Sequence, residues 1–313
     1  MKRENLKNLS IYPIFLILPA LLVILGLIFF PFRTYGSGNL VQPILTLTLF
    51  VSLFLLLGGF FFKNKDISHK IKMLGWAVFA AYWATQINTL YYSENGDVFN
   101  ATLCIVGIFT LFYFAYHEWL CLQKGDEVSC LNWVVGAAAI SGIIYFGIEK
   151  TPIAPWLIET VAIQSGLVLD FFIGNVEVEG VAILYNGVHV VNIIFACTAV
   201  QSMVIFFGMI LPLTKVEPKR KLLGLLITII PIYFLNLIRN ALIAYLVKDN
   251  PEFFSIAHNI IGKGLSLVAL IILLFIVTKI VPEVFDEIIC LTDLPKRNGP
   301  LERFIKSTFL GKK

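Results

Sequence analysis

The sequence predicts an all-α polytopic membrane protein with about eight transmembrane helices and a small extracellular insert made of an amphipathic helix and a β-hairpin. Composition is the first observation behind this class. Apolar residues make up 58% of the chain and charged residues only 14%, whereas soluble domains carry about 25% charged residues. The mean hydropathy is +0.86. Apolar runs of about twenty residues, long enough to cross a ~30 Å hydrocarbon core, recur along the chain.

The apolar runs form a group of five and a group of three, separated by a more polar segment. The expected spans lie near residues 11–32, 41–62, 72–91, 98–120, 131–149, 193–213, 222–247 and 253–281. They predict an N-terminal transmembrane bundle (1–149), an extracellular insert (150–192), a C-terminal transmembrane part (193–281) and a cytoplasmic basic tail (282–313).

The basic residues predict how these spans are oriented. Nineteen of the 24 lysines and arginines fall on the side of the N-terminus, and only Arg33, Lys150 and Lys248 fall on the opposite side. Lysine and arginine accumulate in cytoplasmic loops. We therefore expect a multi-pass protein of the cell membrane with both termini in the cytoplasm. No basic stripe of the kind that binds nucleic acid is present.

The segment between the two groups predicts the insert. Residues 155–174 have apolar residues at helical spacing with interspersed polar ones, which indicates an amphipathic helix on the outer membrane surface. Alternation at Val176 and Val178, followed by Asn186–Gly187, predicts a β-hairpin. The alternative is a loop that merely joins two spans.

Cysteine usage predicts neither a disulfide framework nor a metal centre. The chain has five cysteines, an odd number, and Cys121 and Cys130 have no second pair or histidine cluster near them in sequence. We expect no metal and no cofactor.

Three consecutive spans carry polar or ionisable groups that a lipid-facing helix avoids, and such groups inside a membrane indicate a functional site. The groups are Cys197 with Thr198 and Gln201, Arg239 between Asn236 and Asn240, and His258 with Lys263. In the expected topology, Cys197, Arg239 and His258 lie roughly 6, 12 and 8 Å below the outer face.

These residue types fit acyl transfer. A cysteine thiolate is a nucleophile that a nearby cation and a histidine favour, and a guanidinium can stabilise an oxyanion. Asn236 and Asn240 share a helix face with the arginine and are expected to hold it, while Gln201 is expected one turn below Cys197 as a further donor.

Each group also has a structural interpretation. A cysteine in a membrane span is usually a small apolar filler, a histidine near a helix end often reaches the interface, and Arg239 could form a structural ion pair. No acidic residue in the same or flanking spans matches the depth of Arg239. His189, in the expected hairpin, is a second candidate base, although strands above a membrane commonly expose histidine to water.

The runs ACTAVQSM (196–203), LNLIRN (235–240) and AHNIIGKG (257–264) together resemble the archaeosortase/exosortase family. The resemblance covers roughly residues 152–266, and the first five spans match only in general character. Members share a cysteine, an arginine and a third residue that is usually histidine. Here the third place corresponds to His258, with Lys263 or Lys279 as weaker candidates, and Ala199 stands where the family commonly has glycine after Cys-Thr.

The resemblance implies a membrane-embedded cysteine transpeptidase. Such enzymes remove a C-terminal sorting tag (a short signature, a transmembrane helix and a basic tail) from exported proteins such as S-layer glycoproteins, which become attached to a membrane lipid. In the branch that shares the Cys-Thr-x-x-Gln-Ser-Met form, the signature is Pro-Gly-Phe. The resemblance implies Cys197 as the acylated nucleophile, Arg239 as the oxyanion binder and His258 as the acid/base.

Functions of other classes remain alternatives at this point. A transporter could use Arg239, His258 and Lys263 as a polar pathway, although the polar groups are concentrated in one half of the chain. An intramembrane protease of the rhomboid or glutamic type would need a Ser-His pair or paired carboxylates, and the last three spans hold neither. A scaffold protein would leave the Cys–Arg–His constellation unexplained.

Overall fold

The computed structural model describes residues 12–30, 41–92 and 98–309. Within these residues, six helices are long and apolar enough to cross a membrane: Val41–Phe61, Val98–Lys124, Ser129–Glu149, Ile153–Ile173, Pro218–Val247 and Pro251–Ile280. Shorter apolar helices cover Ile14–Phe29 and Val200–Ile210. The expected class, a helical multi-pass membrane protein with a small β insert, is confirmed.

The chain divides into two compact units, Met1–Ala139 with Glu287–Lys313, and Ile140–Asp286. The helices are, in chain order, α1 (Ile14–Phe29), α2 (Val41–Phe61), α3 (Lys65–Ala84), α4 (Ile87–Tyr92), α5 (Val98–Lys124), α6 (Ser129–Glu149), α7 (Ile153–Ile173), α8 (Val200–Ile210), α9 (Pro218–Val247), α10 (Lys263–Ile280), α11 (Glu283–Thr292) and α12 (Pro300–Phe309). A π-helix covers Ile256–Gly262, and 3₁₀ turns cover Phe195–Cys197, Pro251–Phe253 and Leu294–Arg297.

Two expected spans differ from the helices observed. The helix expected at 72–91 begins earlier, at Lys65, because the Asn64 side chain accepts a hydrogen bond from the Ile67 N–H and caps it. That helix also ends at Ala84, before the separate short α4. In the span expected at 193–213, the α-helix runs only from Val200 to Ile210.

The first unit contains buried charged side chains that face carboxylates, here called the carboxylate-paired cluster. Its members are His69, Lys72, His117, Glu118 and Glu302. His69 Nδ1 is hydrogen-bonded to Glu118 Oε2, and Lys72 Nζ lies 3.9 Å from Glu118 Oε1. His117 Nε2 lies 3.2 Å from Glu302 Oε1. Charge pairing of this kind offsets the cost of removing ionised groups from water.

The C-terminal segment docks on α5 through Glu302. The Tyr116 hydroxyl donates a 2.9 Å hydrogen bond to Glu302 Oε2. Burial alone would raise the pKa of Glu302, but the contacts with His117 and Tyr116 outweigh it, so the pKa lies below its usual value. A few residues earlier, Arg297 Nη2 donates to both carboxylate oxygens of Asp126, at 2.9 and 2.7 Å. The basic tail is therefore anchored to the first unit by specific pairs, which the sequence analysis did not foresee.

A disulfide joins Cys130 and Cys290, which are 160 residues apart in sequence. The sequence analysis excluded a disulfide framework and did not predict this single bridge, because spacing rules detect only cysteines that are close in sequence. Cys104, Cys121 and Cys197 are free thiols, and all three are buried.

The second unit contains a three-stranded antiparallel sheet of β1 (Val176–Glu179), β2 (Ala182–Tyr185) and β3 (Val188–Asn192). The predicted hairpin is confirmed as β2–β3, with its turn at Asn186–Gly187, where both residues have positive φ. The alternation around Val176 and Val178 is confirmed in β1, where these valines are half-buried between exposed glutamates. Strand β1 pairs with β2 and so adds one strand to the β2–β3 hairpin that the sequence predicts.

Helix α7 is present where an amphipathic helix was expected, but its polarity needs correction. Val161 and Ala162 are fully buried and share a hydrophobic core with Leu237 of α9. The opposite side exposes large apolar residues, including Leu167 and Phe171, rather than a polar face. The helix is thus apolar on both sides. An exposed face of large apolar side chains suits contact with lipid or another protein.

Candidate active site

Cys197 lies in a short turn just before a helix, not inside one as expected. The 3₁₀ turn Phe195–Cys197 is closed by Thr198, whose hydroxyl donates a 2.7 Å hydrogen bond to the Phe195 carbonyl. Ala199 follows with φ of 67°, in the left-handed region, and α8 begins at the next residue. This backbone turn explains why the expected continuous span is interrupted at the cysteine.

The turn places Cys197 beside the N-terminal end of α8. The first backbone N–H groups of a helix have no intrahelical acceptor and carry partial positive charge. Cys197 is 8% exposed and borders the core that α7 and α9 share. The cysteine is therefore shielded from water and lies beside a helix N-terminus.

Two asparagines of α9 fix the cysteine backbone. The side-chain amides of Asn236 and Asn240 donate to the Cys197 carbonyl at 2.7 and 3.0 Å. Asn240 also lies 3.4 Å from the Ser165 hydroxyl of α7. The expectation that these asparagines hold Arg239 needs correction, since their bonds reach the backbone carbonyl of Cys197 instead. Four-residue spacing puts both amides on one helix face, so they converge on a single acceptor.

Arg239 projects from α9 toward the π-helix. Its Nε donates a 3.1 Å hydrogen bond to the Gly262 carbonyl, and its guanidinium interacts electrostatically with Cys197. Among the described residues, Arg239 forms no ion pair with a carboxylate. Arg239 is half-buried, and a guanidinium without a counter-charge is costly inside a membrane. The site thus keeps a positive charge available for an anionic group.

Gly262 makes room for the arginine. A Cβ atom at this position would lie 3.0 Å from Arg239 Nε and 3.2 Å from Nη2. Ile243 Cδ1 would lie nearer still, at 2.9 Å, so a side chain here would crowd both the guanidinium and Ile243. Sequence analysis singled out the arginine but not this glycine, whose only signal is its place in the AHNIIGKG run.

His258 lies in the same π-helix, four residues before Gly262. Its ring stacks on Phe254, with centroids 5.4 Å apart and planes 12° apart. Single-turn π-helices are rare and occur mostly at functional sites. The structure therefore places His258 on the segment that Arg239 contacts, and Asn236 and Asn240, which flank Arg239 on α9, bind the Cys197 carbonyl.

The remaining candidates lie further from this centre. Gln201 is exposed in the first turn of α8, and the backbone turn at Ala199 removes it from the helical face expected to carry Cys197. Lys263 begins α10 and is half-buried. His189 is exposed on β3, where its Nε2 is 2.9 Å from Asn192 Oδ1. This exposure agrees with the structural interpretation of the histidine.

A cavity of about 420 Å³ borders the site between α9 and α10. Ala199, Ser202, Asn236 and Arg239 line one part of it, and the other lining residues are almost all apolar. Ligand pockets typically have such volumes and combine an apolar wall with a few polar groups. The cavity gives an apolar group access to the surroundings of the arginine.

Comparison with known proteins shows the family of the chain. The transmembrane exosortase family (Exosortase_EpsH) matches residues 62–275. The chain belongs to the transmembrane exosortase family. As an exosortase it is a membrane-embedded sorting transpeptidase, and the matched residues include the cysteine turn, Arg239 and His258.

Two similar proteins both carry the name Archaeosortase A. This chain is 25% identical over 265 residues to Archaeosortase A of Haloferax volcanii, and the alignment covers 72% of this chain and 85% of the relative. It is 25% identical over 257 residues to Archaeosortase A of Natronomonas pharaonis, covering 71% and 79%. No solved structure matches the chain.

Proposed function

We propose that this exosortase is a cysteine transpeptidase that cleaves the C-terminal sorting signal of exported surface proteins and transfers them to a membrane lipid. The proposed signal is the tripartite Pro-Gly-Phe type, and S-layer glycoproteins are the proposed substrates. One observation carries the proposal: Asn236 and Asn240, which lie on the same helix as a guanidinium that has no carboxylate partner among the described residues, hold Cys197 at a helix N-terminus.

In the first step, the Cys197 thiolate attacks the carbonyl carbon of the scissile peptide bond. The carbonyl oxygen becomes an oxyanion, which Arg239 stabilises through its N–H donors. His258 gives a proton to the leaving amine, so the C–N bond breaks and a thioester forms on Cys197. The released fragment carries the transmembrane helix and basic tail of the tag.

In the second step, a hydroxyl or amine of a lipid attacks the thioester carbonyl. His258 takes the proton of this nucleophile, Arg239 stabilises the second oxyanion, and the C–S bond breaks to regenerate Cys197. If water replaces the lipid, the same residues complete a hydrolysis. No cofactor enters either step.

The proposed orientation puts both termini in the cytoplasm and the site near the outer face. The excess of lysine and arginine on the side of the N-terminus supports it. An exported protein that is still threaded through the membrane by its tag would present the segment before its transmembrane helix at that face. The sheet of β1–β3 then lies on the same side and can cover this segment.

The test is to co-express the enzyme, or its Cys197→Ala or Cys197→Ser variant, with an exported protein that ends in a Pro-Gly-Phe tag. The mass of the substrate's C-terminus is the readout. Wild type is expected to remove the tag and leave the mass of the acceptor lipid, and Cys197→Ala is expected to leave the tag intact. Cys104→Ala, which removes another buried free thiol, is the matched control and should process normally.

Unchanged processing by Cys197→Ala would contradict the proposal and make the cysteine a packing residue. The transporter alternative, with Arg239, His258 and Lys263 as a polar pathway, would then move forward. A substrate that loses its tag but gains no mass would contradict lipid transfer while keeping cysteine-dependent cleavage.

A further inference from the structure

The cavity between α9 and α10 extends from Arg239 along both helices. Arg239 Nε donates to the carbonyl of Gly262, which directly precedes α10, so the guanidinium lies near the end of the cavity where α10 begins. On α10 the lining residues run from Leu265 to Leu273, a distance of about 12 Å at 1.5 Å per residue. The lining of α9 reaches back to Ile232, which is buried like Leu273. The cavity is therefore an elongated apolar space with a cation near one end.

One side of this cavity is bordered by exposed apolar side chains. Leu235 and Ile238 of α9, and Val268 and Ile272 of α10, line the cavity and are exposed. Both helices belong to segments that are long and apolar enough to cross a membrane, so these exposed side chains are expected to face hydrocarbon. A lipid chain can therefore enter the cavity sideways from the bilayer without passing through water.

The volume of the cavity suits one hydrocarbon chain and is too small for a helix. A helix with its side chains is 10–12 Å across, so the cavity of about 420 Å³ corresponds to only about one helical turn. The transmembrane helix of a sorting tag needs about twenty residues. A methylene group takes up about as much space as a water molecule, ~30 Å³, so the same volume holds a chain of roughly 14 carbons. The cavity therefore fits a lipid chain and excludes the helix of the tag.

Arg239 makes the cavity complementary to a lipid with an anionic headgroup. It is the only charged side chain among the described residues that line the cavity. Its Nε is bonded to the Gly262 carbonyl, which also accepts a 2.9 Å hydrogen bond from the Ser266 hydroxyl of the cavity wall. The N–H groups of the two terminal nitrogens point to other acceptors, and a guanidinium binds phosphate oxygens particularly well. One guanidinium can therefore hold a phosphate oxygen and the reaction's oxyanion on different N–H groups.

We propose that this cavity is the acceptor site of the transfer reaction, where it holds one hydrocarbon chain of a phospholipid while Arg239 binds the lipid's phosphate. The inference rests on the proposed function, which leaves the binding site of the acceptor unassigned. Ala199, two residues after Cys197, also lines the cavity, so the headgroup lies near the thioester. A headgroup hydroxyl or amine forms a C–O or C–N bond with the thioester carbonyl carbon, and His258 takes its proton. The C–S bond breaks and leaves its electron pair on the Cys197 sulfur.

The first measurement is lipid binding without reaction, on the full chain in detergent. Cys197→Ala, which cannot form the thioester, is mixed with phosphatidylglycerol, and native mass spectrometry counts the lipids that stay bound after unbound lipid is removed. One lipid per chain is expected. Adding Ala269→Trp fills the cavity with an indole ring and should lower lipid retention at least about tenfold, because even one methylene can change selection by an apolar pocket 10–200-fold. Val268→Trp gives the same test at an exposed lining position should Ala269→Trp fail to fold.

Leu267→Trp is the matched control, because Leu267 is exposed on the same helix and does not line the cavity. It should retain the lipid like the parent chain. Diacylglycerol with the same chains tests the phosphate. Arg239→Gln should lower the retention of phosphatidylglycerol and leave that of diacylglycerol unchanged. Equal retention of phosphatidylglycerol by Arg239→Gln and the parent chain would overturn the proposed phosphate contact.

The second measurement is the fate of the thioester in chains that keep Cys197. With the tagged protein as substrate, Ala269→Trp should lower the ratio of lipid-modified to hydrolysed product at least about tenfold relative to wild type and Leu267→Trp, since water then replaces the excluded lipid. An unchanged ratio, or lipid retention that survives Ala269→Trp, overturns the inference. If Ala269→Trp keeps the lipid but stops tag cleavage, the cavity binds the tag instead. A wild type that never removes the tag contradicts the proposed function, and the binding measurement still decides whether the lipid site exists.

Discussion

Ionisable residues inside the two units, fully buried in the first and half-buried in the second, follow opposite rules. In the carboxylate-paired cluster, every histidine and lysine faces Glu118 or Glu302. At the candidate active site, Arg239 faces a thiol and a backbone carbonyl and forms no ion pair with a carboxylate among the described residues. The carboxylate-paired cluster supplies the counter-charges of its own basic side chains. The candidate active site leaves the positive charge of Arg239 available to an anionic group of another molecule.

The backbone shows the same contrast. The candidate site includes a π-helix and a left-handed alanine, Ala199, whereas the helices that carry the paired cluster are regular. Natural sequences depart from local rules mainly at functional sites, where the departure is offset elsewhere in the fold. The comparison teaches that a buried ionisable residue is not in itself a sign of catalysis. What matters is whether the protein supplies its counter-charge.

The largest expected effect is on stability, from the paired cluster. Glu118→Gln leaves Lys72 and His69 without their carboxylate in a fully buried place. Removing one partner of a buried ion pair costs about 3–5 kcal/mol of unfolding free energy. Denaturant unfolding in detergent should show this loss, while the turnover of the protein that remains folded stays near that of wild type.

Glu127→Gln is the control for that change. The Lys65–Glu127 pair is more than half exposed on both sides, at 68% and 56%. Exposed pairs contribute at most about 1 kcal/mol, so this variant should unfold almost like wild type. Equal losses in both variants would mean that the buried cluster has no special structural role and that the comparison fails.

The second effect is on turnover, from Arg239. Arg239→Gln removes the charge but keeps a polar side chain, and loss of an oxyanion donor typically lowers kcat about 10²–10³-fold. Unfolding free energy should change little or increase, because the removed charge has no carboxylate partner in the part of the chain that the structure describes. Substrate processing and denaturant unfolding measured on the same preparations separate the two effects.

Arg220→Gln serves as its control within the same unit. Arg220 pairs with Glu283 at 2.9 Å on the partly exposed side of α9. Its loss should lower stability modestly and leave kcat unchanged. If Arg239→Gln instead lowers stability and spares turnover, Arg239 is a structural residue like those of the first unit.

Sequence reasoning predicted the class of the fold and the identities of the central residues, because both depend on signals along one segment. Long apolar runs predict spans, and Cys197, Arg239 and His258 are costly in such runs. The partners of these residues could not be predicted in the same way. The bond from Asn236 to the Cys197 carbonyl, the space at Gly262 and the Cys130–Cys290 disulfide all join segments that are distant in sequence.

The third effect concerns the space that the arginine needs. In a helix, alanine is usually about 1 kcal/mol more favourable than glycine, but a Cβ at Gly262 would lie 3.0 Å from Arg239 Nε. Gly262→Ala should therefore shift the guanidinium and lower kcat by about tenfold, since a 1 Å misplacement can cost 10²-fold. Single-turnover kinetics of tag cleavage measures the change.

Gly264→Ala is the matched control, because a Cβ there meets no atom within 4 Å and the position is exposed. It should keep full turnover and gain up to about 1 kcal/mol of stability. Equal kcat values for the two alanine variants would show that the position of Arg239 does not limit the reaction.

The smallest expected effect tests the strained turn at Ala199. Ala199 has a φ of 67°, and all other non-glycine residues with positive φ in the described part of the chain are asparagines. An L-residue pays about 1–2 kcal/mol in this region and glycine does not. Ala199→Gly should therefore raise the unfolding free energy by about 1 kcal/mol while processing of the tag continues.

Ala137→Gly, in the regular helix α6, is the control and should lower the unfolding free energy by about the same amount. A loss of stability in Ala199→Gly would mean that the alanine methyl group packs well enough to outweigh its backbone strain. The turn at Cys197–Ala199 would then contribute to stability, as the carboxylate-paired cluster does.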